Sequence, residues 1–195
     1  LNNKLTPVVG FSELLMNDAD SVGHPEFQEY SRTIHDSVLE ATRIVRQLLE
    51  LSRPSAGEHE PCDFRNIIEQ AVTLVALRLK ETGIDLSLAL PDTPVSIKGD
   101  AGQLKQVFVN IVWNAIDSME RCDDRQLDVR LTAHGGAATL TCADRGVGMA
   151  EDVVSRIFDP FFTTKGPARG TGLGLAMCMA IVKQHGGGIR VTSHP

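Results

Sequence analysis

Four short stretches in the C-terminal half carry residues whose types and spacing could do chemistry. They are Asn110-Ile-Val-Trp-Asn114-Ala, Asp144-Arg-Gly146-Val-Gly148, Phe158-Asp-Pro-Phe161-Phe162-Thr-Thr-Lys165 and Gly170-Thr-Gly172-Leu-Gly174-Leu. Asn110 and Asn114 stand one turn apart, so on a helix they share a face. Magnesium takes hard oxygen ligands and keeps several waters, so a neutral amide plus phosphate oxygens is a sufficient shell. Asp144 ends an apolar run, and a carboxylate there can accept a hydrogen bond from an adenine amino group. Gly146 and Gly148, lacking Cβ, let a flat base lie close to the backbone. Gly170, Gly172 and Gly174 open a helical pattern, where backbone N–H groups and the helix dipole favour phosphate. The run is not a P-loop, because the Gly-Lys-Ser/Thr ending is absent. Each stretch alone is weak: paired asparagines can be an ordinary exposed face, and Asp-x-Gly-x-Gly an ordinary turn. In this order they imply a site for ATP and a magnesium ion.

The aromatic stretch has two readings. Phe158, Phe161 and Phe162 surround Pro160 in a segment of poor periodicity, and they fit either a pocket or partner surface or satellite core packing. Lys165 could reach terminal phosphates, with Arg169 a second candidate, across a short lid from Gly166 to Gly170 that contains Pro167.

The four stretches, in this order, resemble the N, G1, F and G2 boxes of the ATP-binding domain of sensor histidine kinases, over roughly Phe64 to the end. The resemblance implies roles. Asn114 would be the direct magnesium ligand and Asn110 a helper of the reaction. Asp144 would bind adenine and so select ATP over GTP, and Lys165 would act on the phosphates. Gly146, Gly148, Phe158, Thr164, Gly170, Thr171, Gly172, Leu173 and Gly174 would complete the nucleotide site.

These groups need elements to hold them. Phe64 to Glu81 has apolar residues at helical spacing and stops at Gly83. Ile84, Leu86, Leu88 and Leu90 alternate, as do Val95 and Ile97, predicting strands. Asp100 is placed as the N-cap of a helix from Ala101 to Met119, with Gln103 completing a capping box. Leu127, Val129 and Leu131 predict a strand, Gly135-Gly136 a turn, and Leu140 and Cys142 the returning strand. Thr171 to His185 reads as a helix and Ile189 to Thr192 as a strand. Strands gathered against helices predict an α+β sandwich, of the histidine kinase, gyrase and chaperone ATPase type by the resemblance.

Upstream, Leu1, Leu5, Val8, Ser12 and Leu15 lie on one helical stripe, broken at Asn17 to Pro25. Phe27, Ile34, Ala41 and Leu48 then recur at heptad spacing with Val38 and Val45 between them, predicting a helical hairpin that packs in a bundle. The second helix would be ~40 Å long and the first ~25 Å at 1.5 Å per residue. A lone hairpin cannot bury both stripes, so a second copy is the natural partner, giving a dimeric four-helix bundle. The organisation expected is a dimerisation hairpin over 1–53, a linker over 54–61 and an ATP-binding domain over 62–195.

Leu1-Asn-Asn-Lys-Leu-Thr-Pro resembles the helix of histidine kinases that carries the phospho-accepting histidine. That pattern places a His-Glu pair immediately before Leu1, so the acceptor is expected upstream. Asn3 matches a position that assists phosphatase activity by positioning water. One departure is that Lys4 stands where the family has proline, and a proline follows instead at Pro7. None of the six histidines substitutes for the acceptor: His35 lies on the second helix and the others in loops or at element ends.

The whole chain is consistent with this. Its 195 residues and 42% hydrophobic content allow one full domain and a smaller element. A net charge of −6 argues against a nucleic-acid partner, as does the aromatic content of 5%. No apolar run nears the ~20 residues of a membrane span, and no signal peptide is seen, so a cytoplasmic location without direct membrane contact is expected. Cys62, Cys122, Cys142 and Cys178 lack metal-ligand spacing and read as reduced, buried thiols. The expected activity is phosphoryl transfer from ATP to a histidine and on to an aspartate of a response-regulator receiver domain. Two rivals remain. One is an ATPase of the gyrase, chaperone and MutL kind, which would carry an acidic residue where Asn110 stands. The other is a nucleotide-sensing phosphatase or scaffold, kept open by Asn3.

Overall fold

A computed structural model of the chain describes residues 32–35, 38, 59–165 and 171–195. The chain divides into two compact units, Leu1–Pro54 and Ser55–Pro195. In the first, residues 32–35 and 38 are helical and Ile34 is 48% exposed. The rest of the hairpin, with Asn3, lies outside the described residues.

The second unit begins with strand β1 (Glu60–Asp63) and helix α1 (Phe64–Glu81). Asp63 caps α1 by accepting the Arg65 N–H at 3.1 Å, and the same oxygen takes the Val95 N–H at 2.9 Å. Ile67, Ile68, Ala71, Val75 and Leu79 form its buried face. The end of α1 is a Schellman motif. Gly83, at φ +66, donates to Lys80 O at 3.2 Å, Ile84 donates to Leu79 O at 2.9 Å, and the side chains of Leu79 and Ile84 join the core.

Strands β2 (Asp85–Ala89) and β3 (Ser96–Gly99) follow, then helix α2 (Ala101–Ser118), β4 (Gln126–His134) and β5 (Ala137–Asp144). β1 and β3 pair antiparallel. β4 pairs parallel with β2 and antiparallel with β5, in the order β2-β4-β5. Gly135 and Gly136, at φ +59 and +79, make the two-residue turn whose twist matches the flanking strands. Leu127, Val129 and Leu131 of β4 are buried on one face of the sheet. There Leu127 and Val129 meet Ile68, Val75, Phe108, Val112, Ile116 and Met119 of α1 and α2 and its C-cap. Truncating a residue such as Phe108, 0% exposed, would cost roughly 3–5 kcal/mol.

Asp100 caps α2 as expected, accepting from Gly102 N at 2.8 Å and Gln103 N at 3.0 Å. The capping box is not closed by Gln103, whose Oε1 is buried without a partner. His185 closes it instead, its Nε2 accepting the Asp100 N–H at 2.9 Å while its Nδ1 donates to Ile181 O at 2.8 Å. The ring fits only because residue 99 is glycine: a Cβ there would lie 2.5 Å from His185 Cδ2. His59 stacks on the other face of the ring, centroids 4.4 Å apart.

Helix α3 (Glu151–Val154) is one turn, unforeseen in the sequence. Helix α4 (Gly174–Gln184) packs on α2 through buried Ala176, Met177, Cys178 and Ile181. It starts later than Thr171 because Gly172 sits at φ +66, outside the helical region. Ile189–Thr192 forms no strand. Glu60 and Pro61, read as linker, pair in β1 with Gly99 and Lys98. Leu88 is 39% exposed, since β2 is the end strand of its sheet. The fold is the expected α+β sandwich, helices on one face of a mixed sheet.

Candidate functional site

Helix α2 carries the site along one edge. Asn110, Asn114 and Ser118 recur at one-turn spacing, so they form a stripe on its surface, with Asp117 beside Ser118. Asn110 is half-buried; its side chain faces the Cys178 thiol, but its Nδ2 has no oxygen or nitrogen acceptor. A buried amide nitrogen left unpaired is costly, and a ligand oxygen would satisfy it. Asn114 Oδ1 lies 3.4 Å from Lys165 Nζ, and the same ammonium is ion-paired with Asp117 Oδ2. A cation therefore already stands on the amide that the sequence marked as a metal ligand. The pair is part-exposed, with side-chain accessibilities of 33% and 43%, so it is weak and exchangeable, worth about 0–1 kcal/mol. No group of three His, Cys, Asp or Glu that could hold a metal occurs among the described residues. Any ion here would rest on the amide, one carboxylate and ligand oxygens, which suits magnesium rather than zinc.

At the other end of the stripe stands Asp144, the last residue of β5. Its Oδ1 accepts two hydrogen bonds, from Ser118 Oγ at 2.8 Å and from Gly146 N at 2.9 Å. A Cβ on Gly146 would lie 2.2 Å from Ser118 Oγ and 2.6 Å from Asp144 Oδ1, so glycine is required for this arrangement. Gly148, at φ +68, lies against the backbone of His194, and Met149 N donates to Ser193 Oγ at 3.0 Å.

The aromatic segment divides. Phe158 is half-buried, Phe162 lies under the Arg156 guanidinium at 4.4 Å, and Phe161 is 65% exposed. Phe161 is also the one non-glycine among the described residues with positive φ, at 67. Its N–H donates to Gly172 O at 3.0 Å, and a Cβ on Gly172 would meet Phe161 backbone carbon at 2.4 Å. Two backbones thus touch at the ends of the segment that holds Lys165. Thr164 is exposed and Thr171 half-buried. Thr171 Oγ1 accepts the Leu173 N–H at 3.4 Å. Leu173 is 1% exposed, so it anchors the loop in the core and only its backbone faces a ligand. A Cβ on Gly174 would meet nothing within 4 Å, leaving open space before the first turn of α4. Gly170 lies outside the described residues.

The structure therefore brings Asn114 to Lys165, Phe161 to Gly172, and Asp144 to Gly146. Ser118 and Asp117 went unnoticed in the sequence. Their signal was the spacing: Ser118 is one turn beyond Asn114. The thiols are free, but only Cys178 is fully buried. Burial pushes Cys178 up to about 11 and Cys142 up to about 12, which keeps both as neutral thiols.

Residues 99–195 match the family model described as histidine kinase-, DNA gyrase B- and HSP90-like ATPase, and residues 1–57 match the His Kinase A (phospho-acceptor) domain. The chain belongs to the sensor histidine kinases. Similar proteins include sporulation kinase A of Bacillus subtilis, 32% identical over 100% of this chain and 31% of that protein. The sensor histidine kinase ZraS of Escherichia coli is 32% identical over 99% of this chain and 40% of its own length. Among solved structures, full-length ShkA in complex with AMPPNP has a TM-score of 0.73 at 27% identity, covering 93% of this chain and 38% of that one. The catalytic domain of histidine kinase ThkA has a TM-score of 0.59 at 25% identity, over 66% and 82%. The chain spans about a third of the length of these curated relatives. Two histidine kinase modules, one after the other, are what the hairpin pattern and the four boxes predict. No helix among the described residues is long and apolar enough to cross a membrane.

Proposed function

We propose that this chain is the transmitter of a two-component sensor histidine kinase, moving the γ-phosphoryl group of ATP to a histidine nitrogen and thence to a response-regulator aspartate. In the first step an imidazole lone pair attacks γ-phosphorus, the bond to the β,γ-bridging oxygen breaks, and ADP leaves with those electrons. In the second an aspartate carboxylate oxygen attacks the same phosphorus and the N–P bond breaks. Magnesium, when bound with ATP, supplies charge neutralisation on the phosphates. The protein's part is positioning. Asp144 accepts from the adenine amino group, Gly146 and Gly148 leave room for the ring, Phe158 backs it, and Leu173, buried in the core, anchors the phosphate loop. Gly170, Thr171, Gly172 and Gly174 present backbone N–H groups to the phosphates, beside Thr164. Asn114 would hold the metal, Asn110 would turn its amide to the reacting oxygens, and Lys165 would follow the phosphate charge.

The observation that supports this best is the cation seat, where Asn114 Oδ1 and Asp117 Oδ2 converge on one ammonium. Asn114 and Asp117 would hold a divalent ion at that seat, its charge would neutralise the phosphates, and Lys165 would then be free to meet phosphate. Asn110 also disfavours the gyrase-type rival, because an amide cannot take a proton from water. Residues 1–53 act as the dimer interface, consistent with the exposed Ile34, and by the resemblance Asn3 would position water for dephosphorylation. Labelled ATP given to the intact protein separates the readings. Acid-labile label on protein supports the kinase, release of free phosphate without label supports the ATPase, and neither supports a scaffold.

A further inference from the structure

Asp144 does not meet its surroundings with two equivalent oxygens. Oδ1 receives the Gly146 N–H at 2.9 Å and lies 2.8 Å from Ser118 Oγ. The hydroxyl has one proton and two acceptors in reach, the other being Ala115 O at 2.8 Å. That carbonyl already receives the Met119 N–H at 3.2 Å, and a carboxylate is the stronger acceptor. The Ser118 proton therefore goes to Asp144. Two donors on one oxygen fix the rotation of the carboxyl group and leave Oδ2 as the oxygen without a donor. Gly146 lies so close that a methyl group on it would displace both Ser118 Oγ and Oδ1, so the triangle of Ser118, Gly146 and Asp144 has no slack.

We propose that Ser118 is a specificity-determining residue for the base: with the Gly146 amide it pins Oδ1, so that the base always meets a bare acceptor at Oδ2. This rests on the reading of Asp144 as the adenine contact. A 6-amino purine donates to that acceptor. A 6-oxo purine brings a second acceptor against it and is rejected, since two lone pairs then face each other without a proton. The same pinning gives a polarity rule. If residue 144 is an amide, the two donors select its carbonyl for the pinned position, which turns the NH2 group toward the base. Asp144→Asn then becomes a donor at the site where Asp144 is an acceptor, and its preference moves from the 6-amino to the 6-oxo purine. Ser118 touches no ligand; it acts through Asp144 and is a positioning residue.

The test is equilibrium binding of ATP and inosine triphosphate to the full chain and to Ser118→Ala, Asp144→Asn and the double variant, with thermal unfolding measured on each. The full chain should prefer ATP. Ser118→Ala should lose about tenfold or somewhat more in ATP affinity, the low end of one charge-assisted hydrogen bond, with little change for the 6-oxo nucleotide. Asp144→Asn should lose ATP affinity and gain inosine triphosphate affinity, moving their ratio by at least about tenfold, and adding Ser118→Ala should give back part of both changes. Equal losses for both nucleotides in Ser118→Ala would mean that the serine merely caps the helix end, and would overturn the proposal. So would an Asp144→Asn protein that loses ATP without gaining inosine triphosphate, a result that holds even if Ser118→Ala fails to fold. A full chain that binds ATP no better than inosine triphosphate would instead sink the reading of Asp144 as the adenine contact, and this proposal with it.

Discussion

Replacing Gly172 by alanine should damage the protein, whereas the same change two residues later should not. At Gly172 the backbone has φ +66, and an added Cβ would stand 2.4 Å from the carbonyl carbon and 2.7 Å from Cα of Phe161. All the atoms it meets are backbone, so no side-chain rotation relieves the overlap. Holding alanine in the left-handed region costs about 1–2 kcal/mol. Pushing the two backbones apart breaks the bond from Phe161 N–H to Gly172 O, worth about 0.5–1.5 kcal/mol. The sum, about 1.5–3.5 kcal/mol, should lower the unfolding temperature by about 3–14 °C for a unit of this size. Gly174 opens α4 with an ordinary φ and open space around its missing Cβ, so Gly174→Ala should stay within about 0.5 kcal/mol of the parent. It should nonetheless lose nucleotide affinity by at least about tenfold, because its methyl group fills the approach to the phosphates. The assays are circular-dichroism melting of both variants and calorimetric titration with ATP. An unchanged melting temperature for Gly172→Ala would refute the strain argument, and full ATP affinity in Gly174→Ala would remove the start of α4 from the phosphate site.

Other perturbations separate other parts. Asn114→Ala should weaken nucleotide binding much more with magnesium present than without it; an equal loss in both titrations would make Asn114 structural. Aspartate at both Ile34 and Val45 should turn a sedimenting dimer into monomers while ATP binding persists, and a parent that is already a stable monomer would count against the bundle. Cys142 and Cys178 should react slowly with a thiol reagent at pH 8 in the folded protein and rapidly after unfolding. Their folded values lie above the ordinary 9.0, so the folded state binds protons more tightly. Their share of stability is full below about pH 8.5 and is lost as pH rises toward 11 to 12; a stability that climbs over that range would contradict their burial.

Local chemistry made much of this legible. The period of apolar residues in Phe64 to Glu81 and the glycine after it marked α1 with its end, because a Schellman motif is built from neighbours. Gly135-Gly136 marked its turn, and Asp100 its cap, for the same reason. What escaped depends on residues distant in sequence. Glu60 and Pro61 are strand only because β3 lies beside them. Gln103 has the spacing of a capping box, but a histidine from another helix reaches the N–H first. The alternation at Ile189 to Thr192 predicted a strand, yet no neighbour pairs with it. In the site, Asn114, Asp144 and the glycines were marked by type and spacing, while Ser118 and Asp117 gained meaning only when β5 and Lys165 were folded against them. Phe158, Phe161 and Phe162 could not be told apart as letters, although one is bare and one lies under an arginine.

The bond between His185 and the first residue of α2's cap has a consequence for how the chain comes into being. It joins residues 85 positions apart. During synthesis the helix bearing both asparagines emerges well before α4, with the Asp100 N–H open to water and Gly99 facing an empty slot. Contacts of such sequence separation form late, after loop-closure entropy has been overcome. A nascent chain halted short of His185 would hold Asp144 and the asparagines but not a finished start to their helix. The two sides of the candidate site mature together, once α4 has left the ribosome.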